Sequence, residues 1–356
     1  MEEILITGFY NPEYPRNEVL TDALKKFFEV KEKPLKKSSL FFDTSLFKTL
    51  ILDRHSKILI LFPTQHAVLT LLLSRLFLKK EIILDMFISF VDTYIYDRKL
   101  AKKYSVKHFY YYFLDYLSCF ISNTLIFDTE ENKKYFESRF SVLKKRKKII
   151  IPVAVNLEKN KKITQERKSS ISWPKGSFRI LFYGVFIPLQ GIEYIIKAAG
   201  ILKKEKDIHF NIIGSGQTKK YIDHLYDRNP SGNLTFTPRV PYQDLLSTID
   251  QSDICLGIFG LSSKAQRVIP NKLVESMSLG KTVITEKSEA VGRFFEDKVD
   301  VILCNPGDPK DLANKIMETK INFKELNLVG KRAEIKVKNY FSQSNIESII
   351  KNYLIY

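Results

Sequence analysis

The chain has 356 residues, 44% of them hydrophobic, and its 57 Lys and Arg against 40 Asp and Glu leave a net charge of +17. That length exceeds what one growing core supports and predicts two domains, with enough apolar residues to pack both. The positive balance predicts anionic partners, whether nucleic acid, acidic lipid or phosphorylated substrate, without choosing among them.

The three cysteines, Cys119, Cys255 and Cys304, are odd in number, widely spaced and set in or beside apolar runs. They predict buried thiols in a reducing cytoplasm rather than a disulfide framework. The opening MEEILITGFY runs from acids straight into a strand pattern, unlike a secretory signal. The apolar stretch 68–78 is broken by Ser74 and Arg75 and falls short of the ~20 residues a membrane span needs.

In chain order, short β-rich runs alternate with longer helical patterns, the signature of α/β layering on a parallel sheet. The first half predicts strands at 4–7, 58–62, 81–84, 124–127 and 149–153, and helices at 16–28, 66–77, 106–122 and 130–140. Residues 156–176 turn polar, rich in Lys, Glu, Ser and Asn, and read as an interdomain linker, assigned to 156–177 between domains at 1–155 and 178–335. The second series predicts strands at 179–183, 208–213, 234–236, 254–258, 282–285 and 299–303. Its helices fall at 192–204, 218–228, 242–251, 271–278 and 309–320, and a last helix at 336–356 is expected to pack back on the first domain. Two such halves imply two Rossmann-like domains facing each other across a cleft, with ligands at the carboxyl ends of the strands.

Five pieces in the second half come in a fixed order: LFYGVFIPLQGIEYIIKAA from Leu181, FNIIGSG from Phe210, NLTFTPRVPYQDL from Asn233, SDICLGIF from Ser252 and IPNKLVESMSLGKTVIT from Ile269. Together they resemble the nucleotide-sugar domain of the group-one retaining glycosyltransferases with the two-Rossmann, GT-B, architecture. The first half resembles that family more loosely, through ILITGFY with YPRN and through IIIPVAVNL at the junction.

The resemblance implies a set of donor-binding residues. Glu275 matches the second carboxylate of the family's paired-Glu motif, which accepts hydrogen bonds from the donor ribose; without the motif it would read as a first-turn Glu at a helix start. Eight residues earlier, where the first carboxylate belongs, stands Arg267, a cation that cannot accept those bonds. Pro270, Asn271 and Lys272 lie where a loop feeds a helix, so free N–H groups can receive a diphosphate. The phosphate-binding Arg and Lys of relatives are replaced by Val185 and Gln190, and Lys264, Arg267 and Lys272 are the bases that could compensate on the leaving diphosphate; Lys264 reads equally well as a solvated surface residue. Gly184 and Gly191, and Gly214 with Gly216, are expected to let the backbone approach the donor, either there or simply in tight turns. Arg239 and Val240 fall where relatives hold the nucleotide base.

In the first half, Gly8, Arg16 and Asn17 are expected to touch the acceptor, although Arg16 reads equally as a helix-start surface residue. His66 and Asp85, after the second and third strands, join Arg267 as candidate catalytic groups; a lone His at a helix start is also an ordinary structural feature. No Asp-x-Asp motif and no His/Cys spacing for a metal occurs, so the expected reaction uses no metal or other cofactor beyond the nucleotide-sugar. In such a retaining mechanism the departing phosphate oxygen takes the acceptor's proton.

The basic run 144–148 and the aromatic stretch FYYYFLDYLSCF from Phe109 read either as an anionic-membrane contact or as a buried helix beside a solvated turn. The overall expectation is a cytoplasmic enzyme, peripheral at the inner face of the membrane, with a nucleotide-sugar donor, a glycan or lipid-linked acceptor and no nucleic-acid partner. A catalytically inactive nucleotide-sugar-binding partner of another transferase, and a basic nucleic-acid-binding protein without any recognisable binding motif, are the readings of other classes.

Overall fold

The computed structural model describes residues 2–36, 42–77 and 80–355, which form two compact units: Met1–Ala154 with Gln343–Tyr356, and Val155–Ser342. Each is built on a six-stranded parallel sheet with helices on its faces.

In unit 1 the elements run β1 (Glu2–Gly8), α1 (Pro15–Lys25), β2 (Phe28–Pro34), α2 (Thr44–Leu52), β3 (Lys57–Ile60), α3 (Val68–Phe77), β4 (Glu81–Asp85), α4 (Val106–Ile121), β5 (Thr124–Phe127), α5 (Glu130–Arg139) and β6 (Lys147–Ile150). The strand order is β2-β1-β3-β4-β5-β6. Helices cover both faces, so the central strands are apolar on both sides and read as continuous runs such as KILI and TLIF. Period-two alternation divides them between two clusters: Leu5, Ile58, Ile60, Ile82, Leu84, Leu125 and Phe127 face the α2–α5 layer, while Ile4, Ile6, Leu59, Ile83 and Ile126 face α1.

The sequence predicts helix through residue 28, but α1 ends at Lys25 and Phe28 opens β2, paired with β1 from Glu2↔Phe28 to Gly8↔Pro34. This is an edge strand, largely exposed, whose Lys and Glu side chains hide the alternation and blunt the edge. The helix expected from residue 66 begins as a 3-10 turn, Thr64–Ala67, before α3.

Unit 2 runs α6 (Leu157–Glu166), β7 (Phe178–Tyr183), α7 (Ile192–Ile201), β8 (Ile208–Ile213), α8 (Lys219–Asp227), β9 (Leu234–Thr237), α9 (Tyr242–Gln251), β10 (Ile254–Leu256), α10 (Asn271–Ser278), β11 (Thr282–Glu286), α11 (Glu289–Gly292), β12 (Ile302–Cys304), α12 (Pro309–Ile321) and α13 (Phe323–Tyr340). The order β12-β11-β10-β7-β8-β9 reverses direction between β7 and β10, the doubly wound arrangement whose ligands sit at that switch point.

The polar stretch read as a linker is in part helix. Asn156 caps α6 by accepting from the Lys159 N–H, and α6 packs on α9, with Arg167 on Asp244 and Ser169 on Thr248. The expected terminal helix is likewise two pieces: α13 ends at Tyr340 in unit 2, and α14 (Gln343–Ile350) lies against α1 in unit 1, with Ile346, Ile350 and Leu354 beside Val19, Leu20 and Ala23.

Candidate functional site

At the switch point of unit 2, the loop after β7 and the loop after β10 are tied together where Phe259 N–H donates to the Gln190 carbonyl at 3.1 Å. Gly184 leaves β7, and Gly214 leaves β8 at φ 139° with an added Cβ only 2.0 Å from the Gly184 carbonyl oxygen. Only glycine lets these two strand ends lie that close. Gly191 begins α7, and Gly216 follows on the β8 loop against the Phe186 backbone.

Helix α10 enters beside them from Pro270, whose residue type offers no side-chain cap, so its first N–H groups take none from that position. Lys272 and Glu275 are both buried, each 6% exposed. The Lys272 ammonium lies 3.6 Å from the Phe182 ring centre and 2.5 Å from Gln190 Oε1, and an added Cβ at Gly184 would sit 3.0 Å from it. This is the end of the β7 loop that carries Val185 and Gln190. Lys272 brings a cation there from α10, and Gln190 holds it. Burial pushes the Lys272 pKa well down, with Glu275 opposing.

Glu275 accepts from two tyrosines. The Tyr183 hydroxyl lies 3.1 Å from Oε2, and also 3.0 Å from the Lys272 carbonyl; the Tyr242 hydroxyl lies 3.4 Å from Oε1. Burial raises its pKa, and the two tyrosines and Lys272 hold it back. Tyr183 and Tyr242 escaped sequence reasoning. Their only signal is position, at the last residue of β7 and the first of α9, and a lone Tyr at such places carries no pattern.

Tyr242 brings the loop holding Arg239 and Val240 toward Glu275, with Arg239 exposed and Val240 half-buried. Lys264 is buried rather than solvated, and Arg267, half-buried, donates its N–H to the Lys264 carbonyl. Among the described residues no three His, Cys, Asp or Glu side chains gather as metal ligands.

In unit 1 the predicted residues also gather at strand carboxyl ends. Arg16 and Asp85 form a buried two-pronged ion pair, both contacts 3.0 Å, with Arg16 also donating to the Ile151 carbonyl and stacked 4.7 Å from the Phe87 ring. Arg16 is therefore not the surface residue that was its other reading, and Asp85 is not a free carboxylate: each is paired with the other. Burial raises the Asp85 pKa and Arg16 opposes it. Asn17 is buried too, donating to the Asn11 carbonyl.

Gly8, at φ 124°, meets Thr64, whose Oγ1 an added Cβ would approach to 2.1 Å and which accepts from the Phe9 N–H. Close packing explains this glycine. His66 is half-buried and stacks on Phe90 with ring centres 4.3 Å apart, while Gln65 donates to the Asp85 carbonyl.

Residues 163–336 match the family model for glycosyl transferases group 1. Over that stretch the chain is similar to the group 1 glycosyl transferases. An uncharacterized glycosyltransferase of Methanocaldococcus jannaschii is 25% identical over 201 residues, covering 54% of this chain and 49% of that one. The match thus spans about half the length of that relative. The GT-B fold extends over the whole chain: sucrose-phosphate synthase from Thermosynechococcus elongatus superposes with a TM-score of 0.75 at 14% identity, covering 100% of this chain and 98% of that one. Anabaena HepE, solved in complex with UDP and glucose, gives 0.73 at 14% identity with 100% of both covered. The matched stretch lies within unit 2 and contains the Lys272–Glu275 site.

Proposed function

We propose that the chain is a retaining, metal-independent glycosyltransferase that moves a sugar from a nucleotide-sugar bound by unit 2 to a glycan or lipid-linked acceptor in surface polysaccharide or glycolipid assembly, at the inner face of the membrane. The observation that carries the reading is the buried Lys272–Glu275 pair on α10 at the switch point of a group 1 domain. Glu275, oriented by Tyr183 and Tyr242, keeps acceptor capacity on both oxygens for the two ribose hydroxyls. Lys272 and the first N–H groups of α10 suit the diphosphate, whose negative charge grows as the glycosidic bond breaks. Arg267 adds charge on that leaving group in place of the family's first carboxylate. The acceptor hydroxyl gives its proton to the departing phosphate oxygen, so no protein nucleophile is required.

HepE was solved with UDP and with UDP-glucose, which makes uracil the first base to test. The test is a thermal-shift screen against UDP, GDP, ADP, CMP and dTDP, repeated with Glu275→Ala. Stabilisation by one nucleoside diphosphate, lost in the variant, supports the donor site and names the base; no shift with any of them sinks it. A second reading, an inactive nucleotide-sugar-binding partner of another transferase, is favoured by Arg267 in the carboxylate position and by the exposed Val185 where relatives carry Arg. Sugar turnover by the purified chain separates the two.

A further inference from the structure

Helix α4 is apolar on two faces. Leu114, Leu117 and Ile121 are buried in unit 1, whereas Phe109, Phe113, Tyr116 and Phe120 point outward, with Phe109 59% exposed. At 100° per residue those four rings fall within a stripe about 60° wide. An aromatic stripe of this kind on one helix is far more than the scattered exposed apolar residues of an ordinary surface.

The charge bordering the stripe is predominantly positive, Glu137 being paired with Lys148 of the basic run. Between residues 98 and 121 the single acid is Asp115, which is fully buried and accepts from the Ser89 hydroxyl and the Phe90 and Val91 N–H groups. Exposed Lys99, Lys102, Lys103 and Lys107 border its amino end. At its carboxyl end lies the basic run 144–148, where Arg146 reaches over the Phe120 ring at 5.9 Å and donates to the Phe120 carbonyl.

We propose that this face seats unit 1 on an anionic lipid bilayer, with the rings at the boundary between headgroups and acyl chains and the flanking bases on lipid phosphates. Rings set between basic ends match a surface that is apolar within and negatively charged at its rim. A second copy of the chain fits poorly: a two-fold contact along the stripe would bring the Lys99–Lys107 bases against the 144–148 run. The inference deepens the proposed membrane setting of the acceptor, but vesicle binding is read without sugar transfer, so either can fail alone.

The test is co-sedimentation of the full chain with phosphatidylcholine vesicles, with and without about 30% phosphatidylglycerol. Binding to the anionic vesicles alone, weakened by salt, is expected. The triple change Phe109→Ser, Phe113→Ser, Phe120→Ser, and separately Lys102→Glu, Lys103→Glu, Lys107→Glu, should each lower partition by at least about tenfold while the thermal response to nucleotides is unchanged. As a measurement that does not depend on loss of binding, Phe113→Trp in a Trp173→Phe background should shift its emission to the blue on anionic vesicles and be quenched by brominated acyl chains. Failure to bind anionic vesicles, partition unaffected by the triple ring change, or an indole that stays unquenched in the vesicle-bound Phe113→Trp protein would overturn the proposal. So would rings whose removal abolishes only self-association or only single-stranded nucleic-acid binding.

Discussion

Arg16 and Asp85 lie in unit 1 with almost no solvent contact, so neither can lose its partner cheaply. Arg16→Ala should cost about 3–5 kcal/mol in a urea melt, because it strands a buried carboxylate, whereas the paired change Arg16→Met with Asp85→Leu should be far milder. An acceptor-binding role would give the opposite pattern, a raised KM with stability untouched. In unit 2, Glu286 ends β11 fully buried, and neither of its oxygens has a hydrogen-bond partner among the described residues. Burial pushes its pKa to about 8 from 4.5, so the folded state favours the protonated acid. The raised value means that stability is fully present below the unfolded pKa and is lost as pH rises through about 8. Glu286→Gln, which removes this titration, should therefore gain on the natural chain by about 3 kcal/mol between about pH 6 and about pH 9, as read from urea melts at the two values. Parallel pH dependence in the two proteins would show that Glu286 ionises without cost.

At the scale of elements, what could be read from the sequence follows from where each segment is buried. Central strands such as β3 and β5 are apolar on both faces, and their continuous runs are plain in the sequence. The edge strand β2 carries Glu29, Lys31, Glu32 and Lys33 and could not be seen, because its pairing with β1 is a property of the backbone. Helix α6 was hidden for a similar reason: LEKNKKITQE has almost no apolar face, and its support comes from the Asn156 cap and from α9. The site divides the same way. Glu275, Lys272 and the glycine turns were legible through their ordered motif context, and the structure brings them to one switch point. Arg16 and Asp85 are 69 positions apart, and no local pattern announces that two such distant charges will meet. Tyr183 and Tyr242 converge on Glu275 from different elements for the same reason.

At the scale of the molecule, the chain leaves unit 1 at Ala154, builds all of unit 2 and returns at Gln343. Helix α14 inserts Ile346 and Ile350 into the α1 layer, with Leu354 just beyond it. Ending the chain after Ser342 should remove about 5 kcal/mol from unit 1, at roughly 1.5–3 kcal/mol for each large apolar side chain, while unit 2 keeps its core. Two separated calorimetric transitions, of which only that of unit 1 moves, are the expected result; a single transition shifted as a whole would contradict it. The same return path sets an order of assembly during synthesis. Unit 2 is one uninterrupted segment and can fold as it emerges, but the first 154 residues must wait with part of the α1 face uncovered until every residue of unit 2 has left the ribosome. The half of the protein that is made first is thus the half that is finished second, and a holding chaperone would find its target on the α1 face of unit 1 in that interval.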